Sequence, residues 1–374
     1  MWHKSNLMKK TSIYRKPMNP NLFEEDITIN RLSSIGNPLE QLSSLIDFEQ
    51  FRPTLEAVLV KDDCKTAAGR AQFDSVLMFK ILLLKRYYGL GDTGIEYQIV
   101  DRTSFRKFLG ISTVDEIPVD KTIWHYQETL TKSGTFDKLF DDFNAVLLSK
   151  GLFFNEGQIV DASFVEAPRQ RNSREENKQI KAGNGNQLWN SEKGDTEEEK
   201  KRKRNKKRHK DIDARWTKKG GVDYYGYKVH AKVDKKTKLI RKHLTTPANV
   251  HDSQMIGALL DETDTGQTVH LDSGYAGQDN IVKGKEAIPI ICEKGCRHKQ
   301  LTQAQKDSNH EKSKIRCRVE HVFGFIEQSM HGSYVRTIGL IRAKASVALM
   351  CLIYNMFRYV QINNYYPQFI TCKG

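Results

Sequence analysis

The sequence predicts an α/β protein in which a mixed-sheet domain follows an all-α N-terminal domain. Three observations carry this reading. Residues 36–150 repeatedly place apolar side chains at helical spacing. From residue 157 the texture changes to short apolar runs bounded by turn residues, first as a hairpin and then alternating with helical stretches. The chain has 374 residues, 38% hydrophobic and 28% charged, enough for two or three domains and a sizeable core.

Residues 1–35 are polar, basic and without sustained periodicity, and read as a flexible basic arm with at most a short ordered turn. The helical domain is set at 36–150. Within it "QFDSVLMFKILLLKRYYGL" (72–90) stops at Gly89 and Gly91, and "DTGIEYQIVDRTSFRKFLGI" gives one or two short helices. "VDKTIWHYQETLTKSGTFDKLFDDFNAVLLSKGL" gives two more, with Asp120 or Thr122 as N-cap and a break at Gly134. Short helices with tight turns suit a helix-turn-helix module, and a plain helical bundle fits the pattern equally well.

The sheet domain is set at 151–374. "QIVDASFVEA" is its first strand, expected to end near Asp161, where the apolar run stops. "DYYGYKVHAKVDKKTKLIRKHLTTP" (223–247) is a hairpin with its turn at "DKKTK". "VHDSQMIGALLDET" is helical, "QTVHLDSGYAG" is a strand ending at Asp272, and "AIPIIC" is another strand. Two helices close the domain, at 313–331 and 342–359. Residues 169–220 interrupt it with a polar, highly charged stretch, read as a solvated or disordered insertion. Its basic block, with Lys200, Lys201, Arg202, Lys203 and Arg204, forms a mobile phosphate-binding arm on one reading and a plain solvated loop on the other.

Formal charge is +14 and the pI about 9.3, which favours a polyanionic partner, with a basic protein lacking a dedicated partner as the alternative. Nucleic acid is expected rather than membrane. No apolar signal segment follows the basic N-terminus, and the best apolar run, "SVALMCLIYNMF" (346–357), falls short of the roughly 20 residues that span a bilayer. Six scattered cysteines fit reduced thiols in a cytoplasmic, nucleoid-associated protein. Cys292, Cys296 and His298 in "CEKGCRH" have no second pair to complete a structural zinc site, so they read as a basic loop with incidental thiols.

Three acids stand out by position. Asp161 and Asp272 lie at predicted strand ends, where side chains leave a packed sheet. Glu320 lies on a basic helix whose apolar face, with Phe323 and Ile326, runs close by. Carboxylates from separate elements can hold two Mg2+ ions about 4 Å apart, because Mg2+ prefers oxygen ligands and its charge must be offset before it meets a phosphodiester. Each acid taken alone is more often a cap or a surface charge.

These segments resemble, in order, the motifs of the DDE-class transposases of bacterial insertion sequences, in particular the insertion-sequence-five group. "MFKILLLKRYYGLGDTGIEYQIVDRTSFRKFLGI" and "IPVDKTIWHYQETL" are similar to the family's N-terminal region. "IVDASFVEAP", "YYGYKVHAKVD", "TPANVHDSQM", "LDSGYAG" and "IRCRVEHVFGFIE" are similar to its catalytic segments. The resemblance implies an RNase H-like catalytic domain with a mixed sheet, and Asp161, Asp272 and Glu320 as catalytic, metal-binding acids served by Mg2+. It implies a transposase that binds inverted repeats in double-stranded DNA, cuts the ends and joins 3′-hydroxyls to target DNA, as a homodimer on DNA.

The family's third-acid helix carries Tyr-x2-Arg-x3-Glu-x6-Lys. Arg316 and Glu320 match it, Ser313 stands at the Tyr position, and Glu327 replaces the Lys. Arg316 is therefore expected to meet DNA. Lys121, which opens a helix beside Trp124, His125 and Tyr126, is expected to help recognise the element's end. The alternatives are a catalytically impaired, transposase-derived DNA-binding protein and a two-metal nuclease that does not join strands.

Overall fold

The computed structural model describes residues 23–59, 72–170, 172–192, 194–295 and 300–371. The first eight helices are α1 (Glu24–Ser34), α2 (Pro38–Leu45), α3 (Arg52–Leu59), α4 (Ser75–Tyr87), α5 (Asp92–Asp101), α6 (Thr103–Leu109), α7 (Asp120–Lys132) and α8 (Thr135–Ser149). Sequence signals set several of their ends. Asn37 accepts a hydrogen bond from the Leu39 amide with Pro38 at the first helical position, and Asp74 accepts one from Leu77. Gly134, at φ 68°, adopts the left-handed turn that separates α7 from α8. The expected cap at Asp120 or Thr122 is not seen. Val119 is the N-cap, and Asp120 instead accepts from the Lys121 amide.

The sheet has six strands: β1 (Gln158–Glu166), β2 (Arg215–Lys219), β3 (Val222–Asp234), β4 (Ile240–Pro247), β5 (Thr268–Leu271) and β6 (Ile288–Ile291). Their order is β2-β3-β1-β5-β6, and β4 pairs with β3. β3 is antiparallel to β1, β2 and β4, whereas β5 and β6 run parallel to β1. The "DKKTK" turn forms because Asp234 accepts from the amides of Lys236 and Thr237 and from the Thr237 hydroxyl.

Between β1 and β2 lie α9 (Arg174–Lys181) and α10 (Glu197–His209). The stretch 169–220 therefore carries two helices and a strand where the charge density suggested a structureless segment. Two capping boxes explain the helices: Ser173 with Glu176, and Thr196 with Glu199. After β4 come α11 (Ile256–Leu259), α12 (Asp279–Lys283), α13 (Gln303–Arg316), α14 (Arg318–Gly324), α15 (Leu340–Tyr365) and α16 (Gln368–Thr371). The helix expected at 313–331 begins earlier, breaks at Cys317, and ends in a π turn over Phe325–Ser329. Residues 1–22 of the expected arm, and Cys296 and His298, lie outside the described residues, while Cys292 is buried.

One hydrophobic core runs through both halves, joining Phe79 and Phe143 of the helices to Val229 and Ile240 of the sheet. α15 threads it, packing on α8, α4 and β4. This helix has 26 residues and is long and apolar enough to cross a membrane by length and composition, but 72% of its most apolar window is buried inside the protein. A second cluster, with Val160, Leu259, Val269, Leu271 and Tyr275, packs α11 and α12 against β5.

Candidate active site

β1 and β5 are parallel neighbours with Gln158 beside Val269 and Ile159 beside His270. Continuing that register by two residues brings Asp161 beside Asp272, on strands about 4.8 Å apart. Asp161 is not at a strand end as expected. It is the fourth of nine residues in β1, which runs on to Glu166 because β3 pairs with it throughout. β5 stops at Leu271, so Asp272 begins the turn that follows and accepts a hydrogen bond from the Gly274 amide at 2.8 Å.

The third acid comes from α14, which packs on β1. Val319, Val322 and Phe323 anchor that helix in the core, leaving Glu320 on the exposed side. Arg316 joins the set: its Nη1 donates to Asp161 Oδ2 at 3.0 Å, and its Nη2 lies 3.5 Å from Glu320 Oε1. Among the described residues, no three His, Cys, Asp or Glu side chains stand close enough together to hold a metal ion. The structure thus sets Asp161 beside Asp272 and links Glu320 to them through a guanidinium.

The electrostatics follow from this crowding. Burial raises the Asp161 pKa, the charge of Asp272 raises it further, and the Ala162 amide and Arg316 only partly offset them, leaving it at about 6. By ligand chemistry the three acids suit a hard divalent cation, although as placed they do not converge on one ion. All three donors are oxygens, two carboxylates repel each other, and a protein cation already bridges Asp161 and Glu320.

Two further residues close the back of the site, and the sequence reading did not single them out. Tyr275 is fully buried, and its hydroxyl meets no hydrogen-bond partner among the described residues. Burial and the charges of Asp252, Asp161 and Asp272 push its pKa far up, so it stays a neutral phenol. Asp252 is held by Lys228 at 2.9 Å. Both lie inside motifs quoted above, "VHDSQM" and "LDSGYAG", so the signal was present but credited to neighbouring residues.

The face of β1 opposite Asp161 carries an aromatic pair with two ammonium groups over it. Phe164 stacks on Tyr224 with ring centroids 4.2 Å apart, and the ammonium groups of Lys219 and Lys228 lie 5.7 and 5.2 Å from the Phe164 ring. Glu327 accepts a hydrogen bond from Ser163 at 2.7 Å. The other expected contacts lie elsewhere. Lys121, Trp124 and His125 are exposed on α7, while Tyr126 donates to the Ser75 carbonyl. On α10, Lys200 pairs with Glu197 and Lys203 with Asp195, whereas Lys201, Arg202 and Arg204 are exposed with no ion pair among the described residues.

A family model described as "Transposase DDE domain" matches residues 153–356, more than half of the chain. A second, described as "Transposase domain (DUF772)", matches residues 28–129. No solved structure matches the chain.

Proposed function

The chain belongs to the DDE-class transposases of insertion sequences, and on that premise we propose that Asp161, Asp272 and Glu320 are the acids that cut and join its DNA. The observation that carries this is the parallel register of β1 and β5, which sets two carboxylates side by side beneath the helix bearing the third. The strand order, with β1, β3 and β4 antiparallel and β5 and β6 parallel to β1, supports an RNase H-like catalytic domain. The ordered motifs support the insertion-sequence-five group, with residues 36–150 as the end-recognition region and 151–374 as the catalytic region.

Asp161, Asp272 and Glu320 would hold divalent cations of the Mg2+ type, whose chemistry when bound is to lower the pKa of the attacking water or 3′-hydroxyl and to offset charge on the leaving oxygen. The residues of the chain divide the remaining work. Arg316 keeps Asp161 and Glu320 oriented toward each other before DNA arrives and offers a fork that suits a phosphate. Lys219, exposed and close enough for its charge to act on Asp161, seats the strand there. Tyr275 and the apolar cluster under β5 shield the rear of the two aspartates from water. Two ends must be held at once, so the working form on double-stranded DNA is a homodimer.

The test pairs cleavage with joining on duplexes carrying the element's end. Asp161→Asn, Asp272→Asn and Glu320→Gln should each lower Mg2+-dependent cleavage by about 1,000-fold or more, consistent with losing a group that acts on transition-state charge, while leaving DNA affinity within a few-fold. Cleavage near the wild-type rate in any variant removes that residue from the set. One observation favours a second reading. Glu327 is fixed to Ser163, two residues from Asp161, where the family carries a cation. That carboxylate supports an impaired, DNA-binding descendant, or a nuclease that does not join strands. Wild-type cleavage without joined product would identify the nuclease, and neither product the impaired form.

A further inference from the structure

A cavity of about 860 Å3 opens where the end of α4, the middle of α7 and the segment 331–349 converge, with Arg208 of α10 in its lining. Its volume lies in the range of ligand sites that hold nucleotide-sized molecules. Five Lys and Arg side chains line it, Lys85, Arg86, Arg208, Arg336 and Arg342, together with His331. Only two acids do, Asp92 and Glu128, and both are engaged. Asp92 pairs with Lys85, and Glu128 takes Arg342 in a fork at 2.6 and 2.9 Å. Arg86, Arg208 and Arg336 have no ion pair among the described residues.

Arg86 is the informative one. Its Nε is closed off from solvent and has no acceptor among the described residues, and its Nη2 meets the Met350 thioether at 2.7 Å. Burial lowers its pKa to about 10, so it keeps its charge at neutral pH. The Thr337 hydroxyl, in the same lining, is likewise closed off from solvent with no partner among the described residues. A guanidinium largely withdrawn from water and without an anion destabilises a fold unless something brings acceptor oxygens to it, and a phosphate matches its donor fork.

The position of the cavity says which phosphate. The Glu166 amide donates to Ser333 O, and the Val335 amide donates to Glu166 O, so the lining segment is fastened to the far end of β1. Glu166 lies five residues beyond Asp161 on that strand, or about 17 Å, which is about five base pairs along a duplex. Trp124 lines the same cavity, and Lys121 sits one turn earlier on α7.

We propose that this cavity is an anion site for a backbone phosphodiester of the bound DNA, gripped by Arg86 and Arg336 at a distance from the cutting site. The DNA assignment rests on the function proposed above, whereas the affinity for phosphate does not, and the experiment separates them. Full-length wild type, Arg86→Met and Arg336→Gln are melted in inorganic phosphate, in ATP and in chloride at matched ionic strength, and their affinities for a duplex of the element's end are measured across a salt series.

Wild type should be stabilised by phosphate over chloride, and both variants should lose that increment. Arg86→Met should melt higher than wild type without ligand, because an unpaired charge has been removed. Both variants should bind the duplex about tenfold more weakly, with a salt slope smaller by about one. Variants that respond to phosphate and bind the duplex as wild type does overturn the site. Loss of the phosphate and ATP responses with unchanged duplex affinity overturns the DNA assignment and makes the occupant a free phosphate compound. Wild type that binds no duplex but still responds to phosphate through Arg86 strikes at the proposed function instead. Should Arg86→Met not fold, Arg336→Gln, at an exposed position, decides alone.

Discussion

The sheet around Asp161 and the charged stretch at 169–220 hold their shapes by opposite means. β1, β3 and β5 bury Ile159, Val229, Val233 and Val269 almost completely, and the buried Lys232 is paired with Asp261 and Asp264 at 2.8 Å each. In the charged stretch only two apolar side chains, Ile180 and Ala214, are buried among the described residues. Its frame is polar. Glu176 accepts from the Ser173 amide, Trp189 Nε1 and Lys206 Nζ, and Asp195 takes both oxygens to Lys203. Burial-held structure is indifferent to salt and pH over a wide range, whereas donor-held structure depends on the charge state of a few groups.

The largest effect is expected where the sheet departs from its own rule. Asp264→Ala leaves the fully buried Lys232 with a half-satisfied charge and should destabilise the whole protein by about 3–5 kcal/mol. The urea midpoint of the sheet should fall in one transition, with Trp189 fluorescence reporting no earlier change in the insertion. A change there at lower urea than the sheet's own transition would mean that the insertion unfolds separately from the sheet.

Next comes Glu176→Gln. Burial opposes the ionised form of Glu176, but its three donors outweigh burial and lower its pKa from 4.5 to about 2. The stability this contributes is present above about pH 4.5 and is lost as pH falls toward 2. Discounted for the exposure of Lys206, the loss in the Gln variant should be about 2 kcal/mol, confined to α9 and α10. Trp189 emission should shift in the variant at pH 7, and in wild type only in acid. Unchanged emission in both would show that the carboxylate frame does not order this region. Thr196→Ala removes one capping box and should loosen α10 by about 1 kcal/mol, read as faster amide exchange at Glu199. The smallest effect on stability is expected from changing Lys201, Arg202 and Arg204 to Gln, which should leave melting within about 0.5 kcal/mol while flattening the salt dependence of DNA affinity. An unchanged slope would leave α10 outside the DNA contact.

What could be read from the sequence follows the same division. Strand β3 announces itself by alternation, β4 to β6 by short apolar runs and turns such as "DKKTK", and "VHLDSGYAG" marks the Asp272 turn because β5 ends there. The sequence puts Asp161 at the end of its strand because "ASF" after it lacks an apolar run. Pairing along all of β3 carries the strand onward, and pairing is not written locally. The helices of the insertion were legible in principle, since "SREE" and "TEEE" are capping boxes, but charge density masked them. The Arg86 cavity could not be read at all, for it is assembled from segments more than 200 residues apart.

α15 carries a consequence for how such a protein changes over generations. The segments matched by the two family models look like interchangeable cassettes along the chain, yet one helix lies in the core of both, touching α4 and α8 on one side and β4 on another. Asn355 shows the coupling at atomic scale: its side chain bonds Asn144 of α8 and both the amide and the carbonyl of Ile240 in β4. A lineage that acquires new N-terminal helices must therefore re-fit α15 at the same time, and substitutions in α8 should be inherited together with substitutions in β4. Ancestry, in this fold, travels as one piece.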